Sequence, residues 1–209
     1  MEKIKVHLLS HSPLRNAIIG ARTCYSSFDR DDYKDERNIG ENNEKLLRRL
    51  IALGHESVIE HVVYTFRIVG TSRGFLQQLV RHRIASYSVQ STRYTLKKLL
   101  SGAVINPEEF CVIPNEFTEK EQEALLGILL ELKKAIKQFS NDVAKYLLPE
   151  SFRTELVWTV NARSLRNFLK LRLHPKAHFE IRHVASLVVK ALPKTHLILF
   201  EDLLEVKNS

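Results

Sequence analysis

The chain has 209 residues, 44% apolar and 27% charged, which sets aside disordered and fibrous classes. A chain of this length buries about 70% of its unfolded surface and needs no disulfide staples. Lys and Arg number 32 against 24 Asp and Glu, and the net charge of +8 suits polyanionic partners: nucleic acid, a membrane surface or phosphorylated small molecules.

Residues 2–9 (EKIKVHLL) alternate polar and apolar and predict a strand. Ser12-Pro13 reads as an N-cap with proline at the first helical position, opening a helix through about Thr23. Residues 26–40 are polar and charge-dense, the pattern of a surface loop. A helix from about Glu41 carries Leu46, Leu47, Leu50, Ile51 and Leu53 and stops at Gly54. The β-branched and aromatic run 62–69 predicts a strand. Gly70 and Gly74 bracket a turn, and a helix with Leu76, Leu79 and Val80 then runs into Arg81-His82-Arg83. Residues 86–95 (SYSVQSTRYT) lack a helical period and read as an extended loop.

Residues 118–147 form the clearest helix, with Thr118 and Glu121 as a capping box. Its apolar positions 125, 128, 129, 132, 136, 139, 143 and 147 approach a heptad seam, able to pack on its own domain or on another subunit. A strand over 154–160, helices over 164–173 and 177–191, and a short one over 196–206 complete an α+β chain with helices dominant.

Three constellations carry chemistry. The first joins Arg81, His82, Arg83 and Arg93 with the hydroxyls of Ser86, Tyr87, Ser88, Ser91, Thr92 and Tyr94. Guanidinium forks and hydroxyl donors without acidic compensation suit a phosphate better than a solvated basic patch. The second is His55, Glu56, Ser57, Glu60 and His61. The two histidines are six apart, off one helical face, so capping and hydrogen-bonding roles outweigh a metal site. The third is Asn161, Arg163, Ser164, Arg166 and Asn167, followed by Arg172. Asn161 or Ser164 can cap a helix whose N-terminus then suits an anion. Arg166 and Lys170, at i and i+4, fit an exposed cationic face, whereas Arg163 and Arg172 fit one less well. Cys24 and Cys111 lack disulfide or zinc spacing and read as buried, inert thiols. No apolar run reaches membrane-spanning length, and the N-terminus lacks a leader pattern, so a cytoplasmic protein is expected.

Arg81-His82-Arg83-x-x-Ser86-x-x-x-x-Ser91-x-Arg93 is the full signature of the flavin-dependent thymidylate synthases. GHESVIEH, TVNARSLRNFLKLR and EIR at 180–182 resemble further elements of that family in order, and Ala21-Arg22-Thr23-Cys24-Tyr25 looks familial too. The resemblance covers about residues 20 to 190 and implies a helix-rich single α+β domain over 1–209 with a central, mainly antiparallel sheet. It implies methylation of dUMP to dTMP, with methylenetetrahydrofolate as carbon donor, NADPH as electron source and FAD as hydride carrier, and no cysteine nucleophile. It implies a homotetramer with shared active sites, and neither nucleic acid nor membrane as partner.

Carried over by position, the FAD contacts are Ser57, Glu60, Arg81, His82, Arg83, Asn161, Arg163 and Asn167. The uridylate contacts are Gln78, Arg81, Ser91, Thr92, Arg93, Lys145 and Arg172. Arg172 resembles the activating arginine, His55 and Tyr94 fall near the flavin and folate pocket, and no metal is expected. Ser88, Val89, Lys145, Lys176 and His178 depart from the family pattern. Lys145 keeps the charge of a common arginine but loses its fork. Two other classes compete: a nucleic-acid binder using 81–94, which lacks any RNP, KH or helix-turn-helix pattern, and a metal hydrolase using His55, Glu56, Glu60 and His61.

Overall fold

A computed structural model describes residues 3–24 and 40–205. The stretch expected as a surface loop, 26–40, lies outside the described residues apart from Gly40. Four strands, β1 (Lys5–His11), β2 (Val63–Ser72), β3 (Ala85–Val89) and β4 (Arg153–Asn161), form one sheet in the order β1-β2-β4-β3. The sheet is antiparallel. The β2–β4 register shows it: the Thr65 and Thr159 hydroxyls meet at 3.1 Å, Phe66 faces Trp158, and the Ala162 N–H donates to the Val62 carbonyl. Along β4 burial alternates, with Thr154, Leu156, Trp158 and Val160 on the buried face, as period-two patterning requires. β1 begins and ends later than expected; burial alternates from Lys5 to Leu9, and the strand runs on through exposed Ser10 and His11, shortly before Pro13.

The helices are α1 (Arg15–Cys24), α2 (Glu41–Ala52), α3 (Arg73–Leu79), α4 (Thr92–Leu100) and α5 (Pro107–Phe110). They continue as α6 (Glu119–Gln138), α7 (Asn141–Ala144), α8 (Ala162–Arg172), α9 (Phe179–Ala191) and α10 (Glu201–Glu205). Single 3-10 helices cover Glu56–His61, Lys145–Leu147 and Lys194–Leu199. Among the described residues, no helix is long and apolar enough to cross a membrane.

The chain divides into two compact units. The first comprises Met1–Lys5, Ile68–Val80 and Ser88–Leu156. Its core joins Leu96 and Leu100 of α4, Leu125, Leu129, Leu132 and Ile136 of α6, Cys111 and Phe152. Glu121 accepts from the Thr118 N–H at 3.0 Å, completing the capping box of α6. Two expectations fail here. The segment 86–95 is not a loop: Tyr87 is half-buried between exposed Ser86 and Ser88, which is strand alternation, and Ser91 then starts α4 with Leu96 and Leu100 four apart. Nor is 118–147 one helix. Phe139 is extended (φ −118, ψ 162), and Ser140 starts α7, so the heptad seam ends at Ile136. Gly70 has φ +80, and a Cβ there would lie 2.5 Å from the Lys3 carbonyl oxygen, so this β2 position requires glycine.

The second unit comprises Val6–Arg67, Arg81–Tyr87 and Val157–Ser209. Its core is an aromatic series in which Tyr64 stacks near Phe66, Phe66 meets Trp158 at 5.8 Å, and Trp158 meets Phe168 of α8 at 5.0 Å. Asn161 Oδ1 accepts from the Ser164 N–H at 2.8 Å and caps α8, as its place at the strand-to-helix junction suggests. The expected last helix over 196–206 is instead a 3-10 helix followed by α10.

Candidate functional site

The second unit contains a cavity of about 440 Å³ where the segment after α2 meets α1 and α8. His55, Glu56, Ser57 and Arg163 line it. So does Cys24, which is exposed rather than buried as expected, because it closes α1 at the cavity edge; Cys111 is buried. Arg163 Nη1 donates to Glu60 Oε1 at 2.6 Å and its Nε lies 4.0 Å from Glu56, and these carboxylates raise its pKa.

Arg166 corrects the sequence-based expectation of an outward cation. Its side chain is 7% exposed, and it is the inward-facing arginine of α8. Its neighbours Leu165, Phe168 and Leu169 are buried, and this apolar stripe was the signal that places position 166 inside. Arg166 Nε donates to Glu56 at 2.9 Å, while its Nη atoms grip Asp202 at 2.7 Å twice and reach the Leu199 carbonyl. Burial opposes its charge, but the bonds to Asp202 and Glu56 prevail and raise its pKa. The same bond holds the Asp202 carboxyl below its ordinary value. Asp202 escaped sequence reasoning because its partner lies 36 positions away.

A second cluster of this unit forms around the Arg81-His82-Arg83 turn. Arg81 and Arg83 are exposed and His82 is buried between them. Arg172 Nε donates to His82 Nε2 at 2.9 Å, and the His82 ring lies edge-on to Phe168 at 5.0 Å. The Tyr87 hydroxyl donates to the His82 carbonyl. Ile84, within the same turn, has φ +63, a strained value for a β-branched residue of the kind concentrated at functional sites. Burial, helped by the nearby Arg172 charge, lowers the His82 pKa to about 4. Burial and then Arg81 lower that of Arg172. A guanidinium that burial and a neighbouring cation both disfavour suits an anion.

His196 behaves like His82. Its Nδ1 lies 2.9 Å from the Tyr64 hydroxyl, and burial, then His11, push its pKa to about 4. In the unfolded chain both imidazoles return to about 6.5. The unfolded state therefore binds more protons between these values, and stability falls as pH drops from about 6.5 to 4, by on the order of 3 kcal/mol per histidine. Urea midpoints at pH 7 and pH 4.5 measure this. His196→Asn makes the slope shallower, and an unchanged slope in that variant would sink the assignment.

The first unit holds the other expected contacts. α4 opens at Thr92, so its first-turn N–H groups project beside Ser91 and Arg93. Arg93 Nε lies 3.2 Å from Asp142 and Lys145 Nζ 3.7 Å from it, so one carboxylate holds both cations. Asn141 Nδ2 donates to the Arg93 carbonyl at 2.8 Å. Neither Asp142 nor Asn141 was singled out in sequence, since their link to Arg93 spans about fifty residues. Gln78 is half-buried on α3, Tyr94 is exposed, and Asn167 is exposed on α8 in the second unit. Among the described residues, no three His, Cys, Asp or Glu side chains converge as a metal site.

The thymidylate synthase complementing protein family matches residues 7–196. A flavin-dependent thymidylate synthase of Wolinella succinogenes is 43% identical over 201 residues, covering 93% of this chain and 96% of the relative. One of Campylobacter jejuni strain RM1221 is 40% identical over 209 residues, covering 96% and 98%. The crystal structure of thymidylate synthase X from Helicobacter pylori with FAD and dUMP superposes with TM-score 0.85 at 38% identity, covering 96% of this chain and 99% of that one.

Proposed function

The chain belongs to the flavin-dependent thymidylate synthase family, and from that membership we propose which of its residues perform the family's reaction. It is an FAD-dependent thymidylate synthase that converts dUMP to dTMP. The observation that carries the site assignment is the crowding of cations at Arg81, Arg83 and Arg172, which among the described residues show no carboxylate partner, and the effect of Arg81 on Arg172 suits a place for anions.

The residues present fit FAD. Arg81 and Arg83 offer exposed guanidiniums to a pyrophosphate, and Ser57, Glu60 and Arg163 border or brace the cavity beside His55. Asn161 spends its Oδ1 on capping α8, which leaves its NH₂ group for a ligand, and exposed Asn167 lies on the same helix. When bound, FAD supplies the hydride taken from NADPH.

Uridylate falls to Gln78, Arg81, Ser91, Thr92, Arg93, Lys145 and Arg172. The N-terminus of α4, with Ser91, Thr92 and Arg93, binds the phosphate by N–H, hydroxyl and guanidinium donors, and Lys145 adds charge. C5 of the pyrimidine must become nucleophilic without a thiolate at C6. Cys111 suits no such attack, since it is fully buried and burial raises its pKa. Arg172 instead stabilises the negative charge at the N3–carbonyl edge. His55 lines the cavity and is assigned to its folate and flavin side.

Methylenetetrahydrofolate as carbon donor, NADPH as electron source, a homotetramer with shared sites, a single domain over 1–209 and a cytoplasmic location complete the proposal. The family match over 7–196 supports the domain extent. The test is the visible spectrum of the purified protein after FAD addition and gel filtration. Retained flavin bands bleach with NADPH under anaerobic conditions, and dTMP appears on adding dUMP and the folate. A protein that retains no flavin, even with dUMP present, overturns the cofactor assignment.

A further inference from the structure

Resting on the uridylate role proposed above for Arg172, we infer that His82 is a positioning residue for that arginine: its imidazole accepts from Nε and leaves the four Nη hydrogens to face the substrate. A guanidinium at the end of a long side chain stabilises a developing anion only if its fork is already aimed. Arg172 is partly buried and has no carboxylate partner among the described residues; its Nε meets a neutral ring instead. A carboxylate at that place would neutralise the cation that the pyrimidine needs. A neutral acceptor orients the group and leaves its charge intact.

The His82 backbone is held by Tyr87, and the ring is held between Phe168 and Arg172. Phe168 meets it edge-to-face at 5.0 Å, and Phe168 is wedged against Trp158 of the sheet. Phe168 and Arg172 are four apart on α8, so one face of one helix carries both the ring's support and its hydrogen-bond donor. The Tyr87 hydroxyl fixes the His82 carbonyl, and Ile84 in its left-handed conformation sets the path of the turn between them. The acceptor at Nε2 requires the proton on Nδ1 and a ring without net charge. Burial beside Arg172 keeps the ring in that form, with a pKa near 4.

Two variants separate this role from simple packing or flavin binding. His82→Phe keeps an aromatic ring against Phe168 and removes the acceptor, whereas His82→Gln restores a carbonyl oxygen. Retained FAD, the rate of flavin bleaching by NADPH, the Kd of dUMP and the kcat for dTMP are measured for each. The His82 ring, expected by the resemblance to touch FAD, is instead buried against Phe168 and Arg172, so the expected result is near-normal flavin retention and bleaching in both, with kcat down roughly ten- to hundredfold in His82→Phe and partly recovered in His82→Gln. In an Arg172→Lys background, which has no Nε donor, the same replacements cause no additional loss. Normal kcat in His82→Phe overturns the inference and leaves the proposed function standing. Loss of FAD from His82→Phe in proportion to its lost activity also overturns it, making His82 a flavin ligand. Full additivity with Arg172→Lys does so as well. A wild-type protein that holds flavin and makes no dTMP strikes the proposed function itself, and this role falls with it.

Discussion

Replacing Arg172 with alanine lowers dTMP formation by about 10²–10³-fold while the protein still retains FAD and still bleaches with NADPH. The magnitude is that of removing one preorganised donor from a site of developing negative charge. The separation of the two readouts follows from geometry. Arg172 closes α8 and contacts the His82 ring, whereas Arg163 and Ser57 border the cavity. Single-turnover assays measure the loss in the chemical step directly. A Cys24→Ala, Cys111→Ala chain keeps at least partial activity, because Cys111 is fully buried and the proposed activation of C5 falls to Arg172 rather than to a thiolate. An active Arg172→Ala enzyme, or a thiol-free chain that holds flavin and makes no dTMP, would reverse this account.

Replacing Arg166 with alanine has the largest expected effect on stability, about 3 kcal/mol. The replacement removes a guanidinium that is almost fully buried and leaves Glu56, Asp202 and the Leu199 carbonyl without their shared donor. Asp202 is half exposed and recovers some hydration, which keeps the cost toward the lower end for a broken buried pair. Urea unfolding detects it as a lower midpoint with unchanged slope. Arg48→Ala serves as the control: it breaks the solvent-exposed pair with Glu201 and scarcely moves the midpoint. Equal effects of the two replacements would show that burial of Arg166 contributes nothing.

The parts of this molecule legible in its sequence were those set by local chemistry. The capping box at Thr118 and Glu121, the strand periodicity of 154–160 and the cap at Asn161 depend on neighbours within four residues, and all three appear as expected. The segment 86–95 misled because its hydroxyls conceal a period of two in Ser86, Tyr87 and Ser88, and because α4 shows its apolar spacing only at Leu96 and Leu100. The break after Gln138 was invisible because Phe139 and Val143 continue the apolar spacing although the backbone leaves the helix. In the site, the signature residues identified the chemistry, but the pairings did not follow from them. His82 with Arg172 spans ninety positions and Glu56 with Arg166 spans 110, and no local pattern encodes such contacts.

α8 acts as a ruler. Arg172 lies nine positions after Arg163, which amounts to a rise of about 14 Å and roughly two and a half turns. The cation at the cavity and the cation beside His82 therefore point to opposite sides of one rigid rod, capped at its start by Asn161. Insertion or deletion of one residue between them would swing Arg172 by about 100° and shift it by about 1.5 Å. Point substitutions along this helix are thus tolerated or not according to the contact they alter, whereas its length admits no change at all.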